Sequence, residues 1–300
     1  MQDWDGLYFF DYVDAQADRV LPNYFNLQGD WPKTVTVGLA ARMFRTPSIA
    51  ASASVTHPPS TDADWLHAAA LERRPDTWER FLGRYHRMAD QATLTGRLGN
   101  TQTADWGDVQ PHTTHQVQQR KDDRQIRITA PTVHGLFGEM GPAGALRTDV
   151  LAFSPPIGAQ PTDMVSLLLH SLDGATLTQS RHMLLVAPTQ VMGSQPGRTP
   201  PQVQQLVPYK GDRSWWTLDP GSGSASSPRR ATAPLWLARK VMPVRIRTTA
   251  RSLTVYPLGP TGTRMDALPP QHVVPTADGH ELTLNAQKGQ AALWFEITSP

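Results

Sequence analysis

None of the 300 residues is a cysteine. That absence excludes disulfides, thiolate zinc sites and a cysteine nucleophile, and it leaves the redox compartment open. Long apolar runs are missing too: no stretch approaches the roughly 20 consecutive apolar residues of a membrane helix. Residues 1–20 lack the basic, apolar, small-residue order of a signal peptide. The expectation is a soluble chain with no membrane partner and no export signal of its own. Its localisation is otherwise unknown, with secretion or a periplasmic home open for a parent enzyme. Charge of one sign is also scarce, 28 basic against 26 acidic side chains for a net +2, so a nucleic-acid partner is not expected. The basic spots Arg229-Arg230 and Arg239-Lys240 lack the interleaved aromatics of a stacking platform. There is no G-x-S-x-G elbow, no P-loop and no G-x-G-x-x-G after a strand, which argues against an α/β-hydrolase esterase and against nucleotide use. No cofactor is expected. His112 and His115 are three apart without a third ligand at metal-site spacing, so no metal site is expected either.

What the chain has instead is 27 prolines and 22 glycines, the punctuation of many short strands and turns. It opens with an apolar, aromatic run, Asp5 to Tyr12 ("DGLYFFDY"), of the kind buried on both faces of a parallel sheet. A helix should follow, capped by Asp30 with Pro32 in its first turn and with Val35, Leu39, Ala40, Met43 and Phe44 at helical spacing. A second helix is signed by the capping box Asp76/Glu79 and the stripe Trp78, Phe81, Leu82, Tyr85, Met88, with a shorter one around Trp65 to Leu71. From about residue 93 the period changes to strands: Gln125–Ala130, Met164–His170, His182–Ala187, Val203–Val207, Val244–Thr248, Leu253–Tyr256, Glu281–Leu284 and Ala292–Ile297. Asp173-Gly174 should mark a hairpin. Residues 192–202 and 219–234, rich in Gly, Ser and Pro, read as loops. The expectation is a mainly β chain: an antiparallel β-sandwich over 93–300, preceded over 1–92 by one strand and two or three helices.

Residues 4–45, "WDGLYFFDY" and then "YFNLQGDWPKTVTVGLAARMFR", resemble the last strand and helix of a (β/α)8-barrel glycoside hydrolase, where a W-x-D-G-hydrophobic strand, an Asp-Tyr end and an F-x-hydrophobic-x-G-x-P-x-K helix start recur. "RQIRITAPTVHGLFGEMG", "MVSLLLHSLDGATLTQSRHMLLVAP" and "SLTVYPLGPTG" resemble the β-sandwich often fused behind that barrel. Together these pieces span about half the chain in matching order. The resemblance implies a truncated barrel whose family acid/base and nucleophile, which follow the fourth and seventh strands, would precede Met1. The 1–92 segment would then be a barrel remnant. An isolated strand as apolar as Leu7–Phe10 needs a covering partner. A homo-oligomer or a separate barrel portion would supply it.

Two functions follow. The first is a glycosidase hydrolysing glycosidic bonds through a carboxylate pair; the second is a non-catalytic accessory or glycan-binding module. Hydrolysis needs two carboxyl groups about 5 to 9 Å apart. The candidates are Asp11, with Asp14 beside it, at the end of the opening strand, Asp105 with Asp108 in "ADWGDVQP", and Glu139 in the glycine-rich "GLFGEMGPAG". Each is equally readable as a turn carboxylate. For a carbohydrate ligand the stacking candidates are Trp4 and Tyr12 beside the opening strand, Trp106 next to Asp105, and Trp215-Trp216. One ring of that last pair would face a sugar while the other packs inward.

Overall fold

The computed structural model describes residues 27, 29–50, 116–120, 124–141, 146–155, 159, 163–209, 212–218, 231–287 and 291–300. The opening run 5–12, both helices proposed within 65–88 and the seam near 93 lie outside them.

The helix signalled by Asp30 and Pro32 forms as α1, Trp31–Arg45. Asp30 accepts from the Lys33 backbone N–H at 3.3 Å and pairs with its ammonium at 2.9 Å, so one side chain serves an orphan donor and the positive end of the helix dipole. Arg42 and Arg45 stand in the last turn, where cations are favoured. The buried stripe is narrower than the sequence suggests. Leu39 and Met43 are buried while Ala40 and Phe44 face solvent, because α1 lies on one sheet rather than inside a bundle.

The rest of the described chain is mainly β, and every strand pairing is antiparallel. The strands are β1 Val117–Arg120, β2 Gln125–Ala130, β3 Val133–Glu139, β4 Leu151–Phe153, β5 Met164–Ser171, β6 His182–Val186, β7 Val191–Ser194 and β8 Leu206–Tyr209. They continue as β9 Asp212–Leu218, β10 Thr232–Leu237, β11 Met242–Arg247, β12 Thr254–Pro257, β13 Val273–Thr276, β14 Gly279–Leu284 and β15 Trp294–Thr298. A seven-stranded sheet runs β1-β2-β3-β5-β6-β15-β12 and a four-stranded sheet runs β13-β14-β11-β4. β7 with β10 and β8 with β9 form two-stranded ribbons.

Alternation explains how the two larger sheets share one core. From the seven-stranded sheet, Val165, Leu167 and Leu169 of β5, Met183 and Leu185 of β6, and Phe295 and Ile297 of β15 enter a single apolar cluster. Val244 and Ile246 of β11, Leu282 and Leu284 of β14, and Leu151 and Phe153 of β4 join the same cluster from the four-stranded sheet. Fully burying each such side chain is worth roughly 1.5–3 kcal/mol. The outer face of the seven-stranded sheet is divided. Near β3, β5 and β6, Val133, Leu168 and Val186 pack under Leu39 and Met43 of α1. Toward β15 and β12 the face turns polar.

Several expectations need correction. Residues 192–202 and 219–234 are not all loop, since β7 takes 191–194 and β10 takes 232–237. Among the described residues these two strands form a two-stranded ribbon, which tolerates Pro234 as a central strand would not. Val203 makes an isolated bridge to Ser194 rather than opening a strand, which starts at Leu206. Asp173-Gly174 does join two antiparallel partners, β5 and β6, but through a long loop spanning 172–181 rather than a tight two-residue turn.

Candidate functional site

Of the residues singled out in the sequence, Asp11, Asp105, Trp4, Tyr12 and Trp106 lie outside the described residues. Glu139 is the last residue of β3 rather than part of a loop. Its carboxylate pairs with Arg124 at 2.9 Å, its backbone N–H donates to the Arg124 carbonyl, and its own carbonyl accepts from Gln125 Nε2 at 2.9 Å. The neighbouring glycine makes this closeness possible. Gly138 has φ +119°, and a Cβ there would fall 2.1 Å from the Arg124 carbonyl oxygen. Trp215 and Trp216 are consecutive positions of β9, with Trp216 opposite Pro208 of β8. Among the described residues, the structure sets Glu139 and the tryptophan pair on different sheets and so does not bring them together.

Two acidic side chains elsewhere are heavily engaged. Asp173 accepts from the Ser171 and Ser180 hydroxyls, each at 2.8 Å, and from the backbone N–H groups of Ala175, Arg181 and His182. Burial alone would push its pKa up, but these donors outweigh it and hold the carboxyl well below its ordinary value. Its role is to tie the β5–β6 loop shut. Glu296 of β15 takes a forked pair of bonds from Arg264, at 2.7 and 2.8 Å, and one from His182 Nε2 at 2.7 Å. Chiefly because of Arg264, its pKa is lowered to about 2. Arg264 also lies 4.5 Å above the Tyr256 ring. With its oxygens fully committed, Glu296 is poorly placed to act as a proton donor or nucleophile.

Three buried histidines differ in how far they are satisfied. His134 meets Thr148 Oγ1 at 2.7 Å, and burial lowers its pKa against the pull of Asp149. His170 meets the buried Ser48 hydroxyl at 3.0 Å, which anchors the loop after α1 to β5. His280, in β14 and 2 % exposed, has no hydrogen bond at either ring nitrogen. The Arg251 backbone lies near it but outside hydrogen-bond geometry, and burial lowers the imidazole's pKa. Such an orphan requires an explanation.

His280 lines a cavity of ≈ 510 Å³. Three connections converge there: Thr178 from the β5–β6 loop, residues 248–251 after β11, and the β13–β14 turn at Ala277-Asp278. The backbone holds these pieces in place. The Thr178 carbonyl accepts from the Thr249 N–H at 2.8 Å and hydroxyl at 3.0 Å, and the Thr248 N–H donates to the Asp278 carbonyl at 3.2 Å. Gly279 permits the wall to form, since a Cβ there would lie 2.0 Å from the Ile246 carbonyl oxygen. Register sets Ile246 opposite His280 and Arg247 opposite Gly279, so β11 and β14 deliver a cation and an imidazole to the same end of the core.

The charges of the cavity are unevenly matched. Asp278 is bonded by Arg245, which depresses its pKa, and more weakly by Thr276. Arg247 and Arg251 also line the cavity and are exposed, and among the described residues neither guanidinium has an ion-pair partner. Together these groups present fixed donors, threonine hydroxyls and one engaged carboxylate. That set can hold a polar ligand and orient it; it does not contain two carboxyl groups for acid and base. Sequence reasoning missed it, although the Asp278-Gly279 pair was a legible turn signal of the same kind as Asp173-Gly174. Among the described residues no cluster of three metal-ligating side chains occurs, and no helix is long and apolar enough to cross a membrane. Comparison with protein-family models, curated proteins and solved structures finds no match for this chain.

Proposed function

We propose that the described β body is a non-catalytic accessory module of a carbohydrate-active protein, and that it meets saccharide at the cavity beneath the β5–β6, β11–β12 and β13–β14 connections. The observation that carries this reading is the cavity's composition. Its ≈ 510 Å³ is lined chiefly by threonines, two arginines and Asp278, within the range of small-ligand sites. Among the described residues its lining includes a single carboxylate, Asp278, already bonded to Arg245. Such a site binds sugar hydroxyls without the paired carboxyls that cleavage requires. Glu139, tied to Arg124, lies outside that lining. Affinity electrophoresis of the full chain through gels containing soluble polysaccharides, run beside a panel of nitrophenyl glycosides, tests the proposal. Retardation by a polysaccharide without turnover is expected. Turnover that disappears in Asp11→Asn, Asp105→Asn or Glu139→Gln would replace the module with a glycosidase, and no retardation in any gel would remove carbohydrate from the account.

A further inference from the structure

We infer that His170 is an acid-sensitive latch: a proton taken up from solvent at its Nδ1 releases the C-terminal end of α1 and residues 46–50 from the outer face of the seven-stranded sheet. The inference is independent of the carbohydrate reading. Its first support is a directed chain of hydrogen bonds. The Arg42 carbonyl can only accept, and it takes the Thr46 hydroxyl at 2.8 Å. Thr46 Oγ1 therefore accepts from Ser48 Oγ at 2.9 Å, and Ser48 Oγ accepts from His170 Nε2 at 3.0 Å. The chain runs from exposed Thr46 to a ring that is 2 % exposed, and it fixes the ring's proton on Nε2. Nδ1 is left as a bare, buried acceptor without a hydrogen-bond partner.

The second support is what surrounds that nitrogen. β3 sets Val133 opposite His170 and β6 sets Leu184 there, while His134 of β3 is bonded to Thr148. α1 contributes Arg42, whose guanidinium donates to the Leu172 carbonyl at 3.0 Å. On β6, His182 is bonded to Glu296 of β15, which Arg264 also holds. In the β5–β6 loop, Asp173 is committed to Ser171, Ser180 and backbone N–H groups. Among the described residues no carboxylate is bonded to His170. Burial, and after it the charge of Arg42, lower its pKa from 6.5 against the pull of the Ser171 backbone. A proton is thus accepted more readily once residues 46–50 lift and water reaches the ring, so acid below pH 6.5 favours the lifted form. Lifting breaks the Ser48 and Arg42 bonds and uncovers Val133, Leu168 and Val186, on which Leu39, Met43 and Ile49 pack. β5 and β6 keep their pairing to each other and the core on their opposite face.

Amide hydrogen exchange of the full chain, corrected for the intrinsic effect of pH, reads the latch directly. Between pH 8 and pH 5, protection of α1 and residues 46–50 should fall severalfold relative to β5 and β6. An imidazole that titrates at its ordinary value once released bounds the fall at about thirtyfold. His170→Gln keeps an N–H for Ser48 and cannot be protonated, so the fall should vanish there. Arg42→Gln keeps the imidazole and removes the opposing charge, so the fall should shrink. Equal loss of protection by α1 and the two strands would overturn the inference, because the event would be global unfolding. No fall, or a fall as large in His170→Gln, would overturn it as well. Should His170→Gln fail to fold, an undiminished fall in Arg42→Gln would do the same.

Discussion

The Asp173 loop and the His280 cavity both involve the connection between β5 and β6, yet they treat polar groups in opposite ways. At Asp173, two buried serine hydroxyls and three backbone N–H groups converge on one carboxylate. At His280, two buried nitrogens meet nothing, and two arginines at the rim have no counter-ion among the described residues. Buried polar groups are ordinarily paired because leaving one unmade costs about 1–3 kcal/mol. Satisfied groups hold the fold; the sealed, unpaired nitrogens of His280 are a cost that the fold carries. Removing a member of each class should therefore move stability in different directions.

The largest expected effect lies in the cavity wall itself. Gly279→Val would drive a side chain into the Ile246 carbonyl and the Arg247 backbone, costing about 3 kcal/mol or more, and urea unfolding would show the midpoint collapse. Asp173→Ala comes next, at about 2 kcal/mol, because the Ser171 and Ser180 hydroxyls are buried and lose their acceptor. Binding at the cavity should survive in the folded fraction. Glu296→Gln follows at about 1 kcal/mol, a value kept small because Arg264 is half exposed.

The pH dependence separates the same classes. Glu296 has its folded pKa lowered from 4.5 to about 2. Its contribution is whole above pH 4.5 and is lost as pH falls toward 2, a decline that Glu296→Gln should flatten. The pKa values of His134, His170 and His280 are lowered from 6.5 by burial, aided at His170 by the charge of Arg42. The unfolded chain therefore takes up protons first, and stability should already begin to fall below pH 6.5. Denaturant midpoints measured between pH 8 and pH 3 would show two steps in the native chain, the upper one softened in His280→Leu.

How much of this could be read from the chain depends on how local each signal is. Asp30 and Pro32 act within one turn, and α1 starts where they place it. β5 and β6 are apolar enough to be legible from residues 164–170 and 182–187, and they form at Met164–Ser171 and His182–Val186. β7, β10 and β13 were hidden because ribbons and edges accept Gly193, Pro234 and Pro275, residues that read as loop when pairing is unknown. β3 was obscured by Gly135 and Gly138, which the structure needs for close contact with Phe137 and with the Arg124 backbone. The cavity was beyond reach for a different reason. Thr178, Arg247, Arg251 and His280 come from separate stretches, and the register of β11 against β14 brings Arg247 and His280 to one end of the core. Nothing in the local sequence distinguishes His280 from His170, which found a partner in Ser48.

The smallest expected change in stability is also the most direct test of the contrast. Replacing His280 by leucine removes two unpaired nitrogens at the position paired with Ile246. Unfolding free energies of His280→Leu and Asp173→Ala, measured side by side at pH 7, should diverge. The account predicts that His280→Leu is neutral or more stable by up to about 1 kcal/mol, while Asp173→Ala loses about 2 kcal/mol. A His280→Leu protein as destabilised as Asp173→Ala would show that the imidazole is a structural group after all, and would contradict the contrast between a carboxylate on which its donors converge and an imidazole left unpaired.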